Sequence, residues 1–114
     1  MDSSRATGHG KIRVTVRVFA NFREITNKKI FDVTIKEGTT IRQLLDVICE
    51  MYSLRELLFN EKSVLLPHNQ ILINGRNMKF LEGLQTKLAD NDEIALFPPA
   101  AGGLYLSTPE NNSK

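Results

Sequence analysis

Apolar and polar residues alternate over 12–19, with Ile12, Val14, Val16 and Val18 on one face and Arg13, Thr15, Arg17 and Phe19 on the other. A period of two marks a half-buried strand. The alternation returns at 30–36, where Phe31, Val33 and Ile35 turn inward and Asp32, Thr34 and Lys36 outward. The intervening ANFREITNKK (20–29) predicts a loop, long for a hairpin but compatible with antiparallel neighbours. Glu37-Gly38 breaks the second strand, and from Thr40 the period becomes helical. Ile41, Leu44, Leu45, Ile48 and Tyr52 form one stripe, while Arg42, Asp46 and Glu50 face water. Thr40 and Gln43 have the spacing of a capping box, in which each side chain serves an orphan backbone N–H. Ser53 to Glu56 repeats a shorter cap pattern and predicts one more helical turn before Asn60.

Further on, Gln70 to Ile73 is apolar and β-branched, and Asn74-Gly75 is a tight-turn pair because both residues tolerate positive φ. Residues 76–80 are expected to form the return strand. Asp90-Asn91-Asp92 predicts a last turn and Glu93 to Phe97 a last strand, which Pro98-Pro99 ends because proline supplies no ladder donor. The order ββαββ predicts an α+β fold, a mixed sheet of four to five strands with one main helix packed across it.

Length and composition narrow the picture. A chain of 114 residues has room for one domain with a modest core. Residues 1–10 read as a disordered leader, 11–99 as the compact domain, 100–103 as a flexible tail and 104–114 as a disordered extension. The net charge of +2 comes from scattered basic residues, which argues against a nucleic-acid partner. No apolar run approaches the roughly 20 residues that cross a bilayer, and no secretion signal is recognisable. A single cysteine cannot form an internal disulfide, so a reducing, cytoplasmic setting is expected.

Candidate chemistry is sparse. His9 and His68 have no carboxylates or cysteines at ligand spacing, so no metal site is expected. Cys49 lies about 80° from Ile41 around the helix, at the edge of the apolar stripe beside Glu50, and no cation is expected near enough to lower its pKa. Core packing is the better reading than a reactive thiol. Asp90, Asp92 and Glu93 read as solvated turn charges. There remains the stretch Phe97-Pro98-Pro99-Ala100-Ala101-Gly102-Gly103. Two glycines without Cβ atoms make a thin strand end that can thread a narrow channel in a partner and bring a carboxylate to its active site.

This ending, with Leu88 to Leu96 before it, resembles the closing segment of molybdopterin-synthase small subunits and of the related small archaeal ubiquitin-like modifiers. Val18-Phe19-Ala20, Ile35 to Leu45 and Ile73-Asn74-Gly75-Arg76 are similar to that family's first strand, helix start and central hairpin. The resemblance spans about residues 12–103. It implies the β-grasp fold of ubiquitin and a carrier with no catalytic side chain and no bound cofactor. The Gly103 carboxylate would be adenylated by an activating enzyme using ATP, then converted to a thiocarboxylate. That group would deliver sulfur within the large subunit of molybdopterin synthase. In the modifier branch the same glycine is joined to lysines of target proteins.

One departure stands out. Leu104 to Lys114 follow Gly103, whose carbonyl therefore belongs to a peptide bond. Either these residues are removed by a processing protease, or they are foreign to the native chain, or the protein is a non-conjugating ubiquitin-like interaction module. For the partner surface the sequence offers Arg13, Arg17 and Phe19 on the outer face of the first strand and Phe97 on the last, an aromatic pair beside arginines near the tail.

Overall fold

The computed structural model describes residues 10–98. The five strands are β1 (Lys11–Val18), β2 (Ile30–Lys36), β3 (Gln70–Ile73), β4 (Arg76–Asn77) and β5 (Glu93–Phe97). They form one sheet in the order β2-β1-β5-β3-β4. β1 runs antiparallel to β2 and parallel to β5, and β3 is antiparallel to both β5 and β4. The mixed sheet with one main helix packed across it is the one expected. The leader lies outside the described residues except Gly10, whose carbonyl accepts from Glu37 N–H (3.1 Å). The expected 100–103 tail and 104–114 extension also lie outside them.

One face of the sheet is covered by the main helix, α2 (Ile41–Tyr52). Val14, Val16, Val18, Ile94 and Leu96 are fully buried against Ile41, Leu44, Leu45 and Ile48. The inward halves of the strand alternations and the helical stripe thus meet in one core, where apolar burial provides the main driving force. Thr40 caps α2 as the sequence predicts: its Oγ1 accepts from Gln43 N–H (3.3 Å) while Gln43 Oε1 accepts from Thr40 N–H (3.0 Å). The crossover segment is tied to the same helix start, through Ile41 N–H to Thr86 O and Leu88 N–H to Thr39 O, both 2.9 Å.

Three local expectations are corrected. The 20–29 segment is no plain loop, because Ala20–Thr26 forms helix α1. Phe22 and Thr26, four residues apart, are buried by it, and Asn27 closes it at φ 60°. Ser53 does not cap a following helix. It ends α2 in the left-handed region (φ 59°), its N–H on Cys49 O, and α3 (Arg55–Leu58) starts without a side-chain cap. The return strand stops at Asn77, since the Asn77 side chain accepts from Lys79 N–H (2.9 Å) and turns Met78–Phe80 into a 3₁₀ segment.

Candidate functional site

The predicted reactive end is rooted in the middle of the sheet. β5 hydrogen-bonds β1 on one side and β3 on the other, with Val18 opposite Leu96 and Gln70 opposite Phe97. A strand held on both edges cannot fray independently of the sheet, so Pro98 leaves from a fixed point. Pro98 is half-buried. Pro99, Ala100, Ala101, Gly102 and Gly103 lie outside the described residues.

At this exit the sheet face opposite α2 carries the aromatic pair. The parallel register puts Phe19 beside Phe97, and their rings stack with centroids 4.2 Å apart and planes 7° from parallel. Both are half-buried, neither in the core nor free in solvent. Arg23 from α1 adds a guanidinium 5.6 Å from the Phe19 centroid and donates from Nε to Val18 O (3.4 Å). Further back along the strands, Arg17 Nε, two residues before Phe19, pairs with Glu93 Oε2, four residues before Phe97, both side chains about half exposed. A surface pair of this kind contributes about 0–1 kcal/mol, and it draws the Arg17 head toward Glu93, which lies opposite Thr15.

Arg13 does not join this group. It lies four residues before Arg17, roughly 13 Å along the strand, and its backbone N–H is held by Asp90 Oδ1 (2.9 Å). The sequence reading in turn left out Ile30 and Leu72. Ile30 is opposite Arg17 and Leu72 opposite Ala95, all on the uncovered face. Ile30 is 45% exposed. Its signal was present as the one apolar residue on the outward parity of the second alternation. The patch at the tail exit is therefore Phe19, Phe97, Ala95, Leu72 and Ile30, edged by Arg17 and Arg23.

The other candidates have structural places. Cys49 is buried, and burial pushes its thiol up; the cations Arg55 and Arg42 oppose that shift without overcoming it, and Asp46 reinforces it. The expectation of no nearby cation is thus corrected, while the packing role of Cys49 stands. Asp90 and Asp92 are more than solvated charges: Asp92 accepts from Asn74 Nδ2 (2.9 Å) and Ala89 N–H (2.8 Å), stitching the last turn to the Asn74-Gly75 turn. His68 is exposed, and among the described residues no three His, Cys, Asp or Glu side chains gather as a metal would require.

A five-stranded mixed sheet packed on one helix, with its last strand in the middle and an apolar patch beside that strand's end, defines a ubiquitin-like β-grasp domain. The sequence matches the ThiS family over residues 16–103, and the chain belongs to that family. It is 32% identical over 92 residues to small archaeal modifier protein 3 of Haloferax volcanii, covering 81% of this chain and 100% of that one. It is 33% identical over 98 residues to the molybdopterin synthase sulfur carrier subunit of Aedes aegypti, covering 81% and 90% of the two chains. The solution structure of small archaeal modifier protein 1 from Methanosarcina acetivorans superposes with a TM-score of 0.71 at 35% identity, over 82% of this chain and 99% of that one.

Proposed function

We propose that this protein is a sulfur carrier whose working group is the Gly103 carboxylate, supplying sulfur for the dithiolene of molybdopterin. The observation that carries the reading is a coincidence of ends: the family match stops at residue 103, the second glycine of the Phe-Pro-Pro-Ala-Ala-Gly-Gly ending. Hydrolysis of the Gly103–Leu104 bond, consuming one water, would free the carboxylate. One carboxylate oxygen then attacks the α-phosphorus of ATP on an activating enzyme, and pyrophosphate leaves. Hydrosulfide adds to the acyl carbon and AMP departs, giving the thiocarboxylate. The carrier contributes no acid, base or metal. Its folded part is the handle by which activating enzyme and sulfur acceptor hold the tail, and the patch around Phe19 and Phe97 is the grip.

A second reading has specific support. The similarity to small archaeal modifier protein 3 favours conjugation of the same activated glycine to lysines of target proteins. Both routes pass through the adenylate. A chain ending at Gly103, incubated with an activating enzyme and ATP, is expected to support pyrophosphate exchange, and the 114-residue form to be inert until cleaved. Carrier chemistry adds about 16 Da as one oxygen becomes sulfur, whereas conjugation leaves Gly-Gly remnants on lysines. Remnants alone would make it a modifier. Absence of exchange, where a proven carrier reacts, would leave only the non-conjugating interaction module.

A further inference from the structure

We propose that Leu104 and Leu106, from the segment that follows Gly103, fold back onto the apolar patch around Phe19 and Phe97 and cover it until the Gly103–Leu104 bond is hydrolysed. The proposal rests on the reading above, in which that patch is the grip and Gly103 the working end. It adds that a single cleavage releases both.

The patch has two rows. Along β5, Phe97 and Ala95 stand two residues apart on the face opposite α2, and the register extends each into a row across the sheet. Phe19 and Gln70 flank Phe97, while Arg17 and Leu72 flank Ala95, with Ile30 beyond Arg17. Alternate residues of a strand are about 6.6 Å apart, and so are the rows. Phe19, Leu72, Ala95 and Phe97 are only half-buried, and Ile30 is 45% exposed. Covering such a surface removes apolar area from water.

Composition and reach select the occupant. Outside the described residues, large apolar side chains are confined to Met1 and the run Leu104-Tyr105-Leu106. Met1 precedes the start of β1, and Lys11 lies eight residues, or roughly 26 Å along the strand, from Phe19. Leu104 is tethered next to the patch, because only the six residues 98–103 separate it from Phe97. A layer lying on a sheet sits about 10 Å from it, and a six-residue link spans about 13 Å on average. Span and link therefore match, the condition under which a tether gives its greatest effective concentration, of millimolar order. Gly102-Gly103, without Cβ atoms, permits the reversal just before Leu104.

The spacing completes the fit. In an extended segment Leu104 and Leu106 point the same way about 6.6 Å apart, which is the separation of the two rows. Returning antiparallel to β5, the segment sets Leu104 over Phe19 and Phe97 and Leu106 over Leu72 and Ala95, with Tyr105 on the solvent side. Hydrolysis with one water ends the tether, so the contact is lost as the carboxylate forms. A second copy of this chain has no such tether, and a two-fold contact through the patch would set Arg17 and Arg23 against the same arginines.

The test is NMR of the isotope-labelled full chain and of the chain ending at Gly103, each with a soluble neutral nitroxide as the probe of exposed surface. In the full chain the broadening of Phe19, Ile30, Leu72 and Phe97 is expected to be at least twofold weaker, with nuclear Overhauser contacts from the Leu104 and Leu106 methyls to the two rings. The full chain carrying Leu104→Ser and Leu106→Ser should broaden like the short chain although its Gly103–Leu104 bond is intact. Tyr105→Ser should keep most of the protection. Equal broadening of the full and short chains would overturn the proposal. So would protection that survives the double leucine variant, protection abolished equally by Tyr105→Ser, or protection that grows with protein concentration, the mark of a second copy. Activation of Gly103 enters none of these readouts. A chain that folds back yet supports no pyrophosphate exchange after cleavage would overturn the carrier reading and leave the contact in place.

Discussion

Asn74 serves the central hairpin in three ways. It sits at φ 53° in the turn, its backbone N–H donates to Glu93 O (2.7 Å), and its carboxamide bridges Glu93 N–H and Asp92 Oδ1, both at 2.9 Å. Asn74→Ala loses the side-chain bonds and puts a Cβ residue in the left-handed region without compensation, so it should cost about 1–3 kcal/mol in chemical denaturation. Asn74→Gly loses only the bonds and should cost less. The turn itself was legible as an Asn-Gly pair. Its bridge to Asp92 was not, because sequence spacing does not reveal which distant turn the sheet brings alongside. Cys49 was legible as a packing residue for the opposite reason, since its helical phase alone places it by the core. Because the folded thiol titrates above its unfolded value, the native state holds the extra proton, and stability should fall as pH rises through the ordinary thiol range. That slope should vanish in Cys49→Ala, and the folded protein should react slowly with a thiol reagent at neutral pH.

At the scale of elements, β1, β2 and α2 could be read because each carries its own periodicity over seven or more residues. α1 could not. Seven residues are too few for a helix to hold by propensity, and this one exists because Phe22 and Thr26 dock into a core assembled elsewhere. Ser53 was misread because a serine before a short acidic turn fits an N-cap, whereas the backbone uses it to end the preceding helix. The capping box is the firmest local prediction. Thr40→Ala should lower stability by about 1 kcal/mol, measured by denaturant midpoint, with the m-value unchanged. A loss well beyond that would mean that Thr40 also supports the neighbouring crossover at Thr86–Leu88.

For the whole molecule, the sequence picked out half of the apolar surface beside the end of β5. Phe19, Phe97 and Arg17 come together, Arg13 stays apart, and Ile30 and Leu72 complete the patch from strands that were read only for their buried faces. The stack of Phe19 on Phe97 then poses a choice between stability and recognition. Had the rings been core residues, truncation would cost about 3–5 kcal/mol; both are half-buried, and a stacked aromatic pair adds about 0.5–1.5 kcal/mol beyond its area. Phe97→Ala should therefore lower the melting temperature only modestly. If the patch is the grip for the activating enzyme, the same change should weaken that complex by about 1–3 kcal/mol, as removal of an interface anchor does. Leu72→Ala should follow it, while Arg13→Ala, at the far end of β1, should leave affinity within experimental error. Calorimetry on the chain ending at Gly103 separates the cases. A Phe97→Ala protein that melts far lower yet binds normally while folded would return the ring to the core and remove it from the interface.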